Sequence, residues 1–148
     1  MINVLVLCTG NSARSVLAEC LINDLGQGQW RAFSAGSKPT GKVNPLSVEI
    51  LAQKGHATDG LRSKSWDEFA GADAPKMDLV ITVCDNAANE PCPIWPGAPK
   101  TIHVGFPDPA AAEGSHEQRL AVFADVYAMI RAKIERLLAV GLQRAHEV

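Results

Sequence analysis

A three-layer α/β/α fold, an α/β architecture on a four-stranded parallel sheet of order 2-1-3-4, is what this 148-residue sequence predicts. Short apolar runs alternate with segments in which apolar residues recur every three or four positions. That alternation implies parallel strands joined by right-handed crossovers, with helices on both faces of the sheet. No internal repeat or linker interrupts the pattern, so residues 1–148 read as one domain.

Residues 2–7 form a continuous apolar strand. Val16, Leu17, Cys20, Leu21 and Leu25 then repeat at helical spacing until Gly26 stops the helix, which puts Cys20 on its apolar face. Trp30 to Ala35 reads as a second strand, Asn44-Pro45 starts a helix running to about Lys54 ahead of Gly55, and Ser65 to Ala70 makes a short helical turn. The third strand, Asp78 to Val83, ends on Cys84. A long loop rich in Pro, Ala and Asn runs from Asp85 to Lys100, a fourth strand lies around Thr101 to Val104, and Phe106-Pro107-Asp108-Pro109 follows. Loops of that length tend to carry function. The last helix opens at Ser115, with Gln118 placed for a capping box and Leu120, Phe123, Tyr127, Ile130, Ile134 and Leu137 on its inward face.

Hydrophobic residues make up 47% of the chain and charged residues 20%, the balance of a globular protein with a substantial core. A formal net charge of -2 offers no general attraction to nucleic acid or anionic membrane, so any anion site must be local. The N-terminus enters an apolar strand without a basic leader, and no apolar stretch approaches the roughly 20 residues of a membrane helix. The expected location is the cytoplasm, and the expected state is a monomer. There the four cysteines, Cys8, Cys20, Cys84 and Cys92, are expected to be free or catalytic rather than structural disulfides.

The most informative stretch is Val4 to Ser15, in which an apolar strand ends on Cys8 and Arg14-Ser15 opens a helix. A cysteine at a strand end is commonly just a small buried hydrophobe. Here the small residues Thr9, Gly10, Asn11 and Ser12 let the backbone curl so that successive N–H groups, through Ala13, Arg14 and Ser15, face inward as an anion nest. The helix start adds its positive dipole end, and the Arg14 guanidinium can grip two oxygens at once. These donors are expected to hold Cys8 as a thiolate near neutral pH and an oxyanion above its sulfur. Asn11 reads either as a support for the loop or as a plain turn residue, and Ser15 either as a donor to Cys8 or as a first-turn helix residue.

In a parallel sheet, ligands sit beyond the carboxyl ends of the strands, and strands one and three deliver Cys8 and Cys84 to that edge. Hydrolysis of a phosphate ester needs one nucleophilic cysteine and an acid, whereas reducing an oxyanion needs two electrons, which thiols supply by ending as a disulfide. Cys84 is placed to attack the Cys8 sulfur, and Cys92 to attack Cys84 in turn, unless both are incidental loop thiols. Asp108 is either an acid at the sheet edge or only the start of a turn. His56, His103, His116 and His146 lack metal-ligand spacing, and Trp30, Trp66 and Trp95 read as packing groups.

The Cys8 to Ser15 loop resembles the phosphate-binding loop of the low-molecular-weight protein tyrosine phosphatase superfamily. Leu61-Arg62-Ser63-Lys64-Ser65-Trp66, Thr82-Val83-Cys84-Asp85-Asn86-Ala87-Ala88, Cys92-Pro93 and Phe106-Pro107-Asp108-Pro109-Ala110 are similar to its arsenate reductase branch. The resemblance covers nearly the whole chain. It implies that Cys8 attacks arsenate, for which phosphate or sulfate are mimics, that Asp108 protonates the departing oxygen, and that Arg14 with the loop amides stabilises the developing charge. It further implies that Cys84 releases arsenite by forming a disulfide with Cys8, and that Cys92 takes that disulfide over in thioredoxin-coupled members.

Several positions depart from the pattern. Ala13 stands where many members have a cysteine. Asn11, Glu19 and Ser34 resemble three members of a potassium site, but Ser65 stands where a carboxylate is expected. Asp85-Asn86-Ala87-Ala88 and Trp95-Pro96-Gly97 resemble relatives that use glutathione and glutaredoxin, in which glutathione rather than Cys92 would resolve one step. No tightly bound cofactor is implied, and the electrons are expected from thioredoxin or from glutathione and glutaredoxin. The alternative is a phosphatase acting on phosphotyrosine through phosphorylated Cys8, with Ala110, Ala111 and Ala112 in place of aromatic pocket walls. A third reading is a non-catalytic anion-binding or thiol-sensing module.

Overall fold

The computed structural model describes residues 1–85 and 95–148. In chain order it contains β1 (Ile2–Leu7), α1 (Arg14–Leu25), β2 (Trp30–Ala35), α2 (Pro45–Gln53), β3 (Leu79–Thr82), β4 (Lys100–His103) and α3 (His116–Val140). Short 3-10 turns lie at Trp66–Phe69, Pro109–Ala111 and Leu142–Glu147. The strands form one parallel sheet in the expected order, β2-β1-β3-β4.

β1 is central, with Leu7 opposite Ala35 on one side and Thr82 on the other. Its period of two sends Val4 and Val6 to one face and Leu5 and Leu7 to the other, and all four are buried. A run this apolar is therefore stable only as an inner strand, each fully buried side chain contributing about 1.5–3 kcal/mol of transfer free energy. The face carrying Val4, Val6 and Ile81 packs against Leu17 and Leu21 of α1, Ile50 of α2, and Phe123 and Ile130 of α3. The opposite face is covered by a separate apolar cluster. Among the described residues its cover is Phe69 of the first 3-10 turn with Met77 and Trp95, and Phe33 and Trp66 pack against them. Trp66 and Trp95 meet edge to face at 6.0 Å, so the tryptophans act as packing groups, as expected.

Helix starts follow the sequence signals. Asn44 Oδ1 accepts from the Leu46 N–H at 2.9 Å with Pro45 at the first helical position. Ser115 Oγ accepts from the Gln118 N–H while Gln118 Oε1 accepts from the Ser115 N–H, completing the capping box. α1 differs, because Ala13 supplies no side-chain cap. The first-turn N–H groups of α1 are thus left for another acceptor. Of the loop between Asp85 and Lys100 only the ends are described, and Cys92 lies outside the described residues. Among the described residues, no helix is long and apolar enough to cross a membrane.

Candidate active site

The sheet register brings the two strand-end cysteines together. β1 and β3 are neighbours, the Val83 N–H donates to the Leu7 carbonyl at 3.0 Å, and Cys8 and Cys84 leave the sheet side by side. They line one cleft of about 210 Å³ with Thr9, Gly10, Asn11, Ser12, Ala13, Arg14, Asp108 and Ala110. Of the described residues expected from the sequence to act in catalysis or oxyanion binding, only Ser15 is not in its wall.

The loop turns its amides inward because its carbonyls are held from outside. The Thr9 carbonyl accepts from the Lys38 N–H at 3.0 Å, the Gly10 carbonyl from the Thr40 N–H at 3.1 Å and Ser63 Oγ at 2.9 Å, and the Ser12 carbonyl from the Asn44 N–H and Ser47 Oγ, both at 3.0 Å. With those acceptors committed, no described backbone carbonyl takes the N–H groups of Gly10 to Ser15. They form the nest and merge with the uncapped start of α1. Asn11 makes the reversal with φ at +47, a region that asparagine tolerates better than most residues. Its buried side chain ties the loop to two neighbours rather than to its own backbone. Oδ1 accepts from the Lys64 N–H at 3.0 Å, and Nδ2 donates to Ser15 Oγ at 2.8 Å. Ser15 is therefore an internal brace.

Gly36 shows how tightly the loop is seated. Its N–H donates to the Lys64 carbonyl at 2.9 Å, and a Cβ there would meet the Thr9 and Cys8 carbonyl oxygens at 2.3 and 2.6 Å. Backbone on both sides cannot give way as a flexible side chain would. Gly36→Ala is expected to cost roughly 2–4 kcal/mol, read as a lowered midpoint in thermal or urea unfolding.

Arg14 spans the cleft. Its Nη1 donates to the Phe106 carbonyl at 3.0 Å, Nη2 lies 3.8 Å from Asp108 Oδ2, and Nε is buried without a hydrogen-bond partner among the described residues. The Phe106 N–H in turn donates to the Val83 carbonyl at 3.2 Å, which fixes the segment carrying Asp108 to the end of β3. Asp108 starts a turn and also lines the cleft. Its Oδ1 caps the Pro109–Ala111 turn through the Ala110 N–H at 3.0 Å, while its side chain, 48% exposed, faces the cleft beside Arg14.

The cysteine electrostatics bear on the expected thiolate. The Cys8 thiol is pushed up from its ordinary value, first by a hydrogen bond with the Cys84 side chain and then by burial. Arg14 and the Thr9 N–H pull the other way and do not prevail. The Thr9 N–H also donates to Cys84 Sγ at 3.4 Å, so the amide serves both sulfurs. Two thiols in contact titrate as a pair, and the second sulfur was the missing quantity in a count of loop donors alone. Cys20 is separate: burial, helped by the charges of Glu19 and Asp24, pushes its thiol up to about 12, as befits a core residue.

Elsewhere, His56 packs between Asp24 and Tyr127, His103 bonds Thr82 at 2.8 Å and Asp85 at 3.0 Å, and His116 meets Glu49. The anchors that sequence reasoning passed over are Gly36, Thr40, Asn44, Ser47 and Ser63. The only available signal for Gly36 was a glycine directly after a strand.

A cysteine-bearing loop at a central strand end, an uncapped helix start and an aspartate on the facing segment define the class, and comparison gives the family. Residues 3–147 match the family described as low molecular weight phosphotyrosine protein phosphatase, and the chain belongs to that family. It is similar to proteins named arsenate reductase, among them one from Halalkalibacterium halodurans, 37% identical over 91% of this chain and 94% of the relative. Among solved structures, arsenate reductase from Archaeoglobus fulgidus superposes with a TM-score of 0.71 at 27% identity, covering 92% of this chain and 98% of that one. Another, described as an arsenate reductase in oxidized state, gives 0.74 at 27% identity, covering 94% and 98%.

Proposed function

We propose that the protein reduces arsenate to arsenite with its own thiols. The observation that carries the reading is the placement of two cysteines from neighbouring strand ends in one oxyanion cleft. A phosphatase needs only the first of them. The names of the similar proteins support the same substrate.

In the first step Cys8 Sγ attacks arsenic, an arsenate hydroxyl departs, and the Cys8 proton and that hydroxyl leave together as one water. The loop amides and Arg14 hold the remaining oxygens, and Asp108 passes the proton to the leaving group. The Cys8–Cys84 contact keeps Cys8 protonated until the anionic substrate is present to receive the proton. In the second step Cys84 Sγ attacks Cys8 Sγ, the sulfur–arsenic bond breaks with its electron pair going to arsenic, and the Cys84 proton passes to an oxygen of the departing arsenite. Arsenic is reduced to arsenite while the two thiols become a disulfide. Cys92 then accepts the disulfide for delivery to thioredoxin, or glutathione and glutaredoxin reduce it directly.

The test is arsenate-dependent NADPH oxidation with the two donor systems in parallel, for wild type and Cys92→Ser. Thioredoxin-driven turnover that vanishes in Cys92→Ser establishes the three-cysteine relay. Turnover only with glutathione and glutaredoxin reassigns the last step, and turnover with neither overturns the reductase reading. Small Ala110 at the mouth, with Ala111 and Ala112 after it, gives no aromatic wall for a phosphotyrosine ring, so hydrolysis of aryl phosphates should be a weak side reaction.

A further inference from the structure

Asn11, Glu19 and Ser34 resemble three members of the potassium site of thioredoxin-coupled relatives, with Ser65 where the fourth, a carboxylate, is expected. The groups present do not fit that ion. Ser34 Oγ donates to Glu19 Oε1 at 2.9 Å, and Lys64 Nζ lies 3.8 Å from the same oxygen while donating to the Arg62 carbonyl at 3.2 Å. The Lys64 and Glu19 side chains are only 9% and 15% exposed, so solvent screens their charges weakly. Glu19 already faces an ammonium, and a metal ion on it would be repelled by that charge at close range in a low dielectric. Lys64 also reaches the loop through its main chain, whose N–H holds Asn11 Oδ1.

We propose that Lys64 is a positioning residue of the oxyanion site. Its ammonium group acts as a built-in cation that offsets Glu19 beside the Asn11 turn, so the loop binds oxyanions without a monovalent metal ion. Removing the ammonium leaves Glu19 as a poorly solvated anion next to an anion-binding loop, which opposes ligand and loop alike. Methionine or arginine at position 64 keeps the main-chain N–H that bonds Asn11, so these substitutions isolate the charge. The inference rests on the loop being an oxyanion site but not on reduction.

The experiment measures inorganic phosphate affinity by calorimetry, at one ionic strength, in potassium chloride and in tetramethylammonium chloride. Wild type should bind equally in both salts. Lys64→Met should bind roughly tenfold more weakly in tetramethylammonium and regain part of the loss in potassium, because Glu19 is then free to take the small cation. Lys64→Arg, which keeps the charge, should stay near wild type. Wild type that binds more tightly in potassium overturns the proposal. So does a Lys64→Met protein that binds like wild type, or one whose loss potassium does not repair. If Lys64→Met fails to fold, wild type and Lys64→Arg still decide. Phosphate binding without arsenate turnover would instead indict the reductase reading and leave this one standing.

Discussion

Cys8→Ser should lose arsenate reduction by more than about a thousandfold while keeping its fold and its affinity for phosphate. The hydroxyl is nearly isosteric, so the loop, whose shape is set by bonds to Lys38, Thr40, Asn44, Ser47 and Ser63, has no reason to move. What disappears is a polarisable sulfur that can bond arsenic and then accept attack from a second sulfur. Steady-state turnover, with unfolding midpoint and phosphate calorimetry as controls, measures this. Loss of turnover together with loss of phosphate binding would point to a damaged loop and not to a missing nucleophile.

Cys84→Ala should separate the two halves of the proposed cycle. Reduction should fall by at least about a hundredfold, because no resident thiol remains to release arsenite, whereas slow hydrolysis of a small aryl phosphate should persist. The same substitution should make Cys8 more acidic. The Cys84 hydrogen bond is the largest cause raising the Cys8 thiol, and once it is gone Arg14 and the Thr9 N–H act against burial alone. A lower pKa means more thiolate at any fixed pH, so Cys8 alkylation by iodoacetamide at neutral pH should speed up and its pH profile shift downward. An unchanged or upward profile would mean that the pairing does not control the nucleophile.

Much of this site was legible in the sequence because it depends on local rules. Apolar runs ending on Cys8 and Cys84, small residues between Cys8 and Arg14, and the strand and helix alternation that makes β1 and β3 parallel neighbours are all short-range patterns with one physical meaning each. The capping box at Ser115 is of the same kind. What was not legible depends on residues distant in the chain. Ser63 looks like an ordinary polar loop residue and Ser47 like an ordinary first-turn helix residue until the fold sets them against the Gly10 and Ser12 carbonyls. Among the described residues, the cover of the second sheet face was harder to read, because Phe69, Met77 and Trp95 are far apart in the chain and share no helical period. The upward push on the Cys8 thiol is of the same kind, because its largest cause is Cys84, just beyond the end of β3, which is distant from the loop in the chain.

The most direct measurement of the central claim is a single turnover without any external reductant. Fully reduced Cys92→Ser protein is mixed with excess arsenate, the arsenite released is counted, and the disulfide is mapped by peptide mass spectrometry. The account predicts about one arsenite per chain and a Cys8–Cys84 disulfide, with Cys20 left as a thiol. Arsenite with a different disulfide, or no arsenite and intact Cys8 and Cys84 thiols, would contradict it.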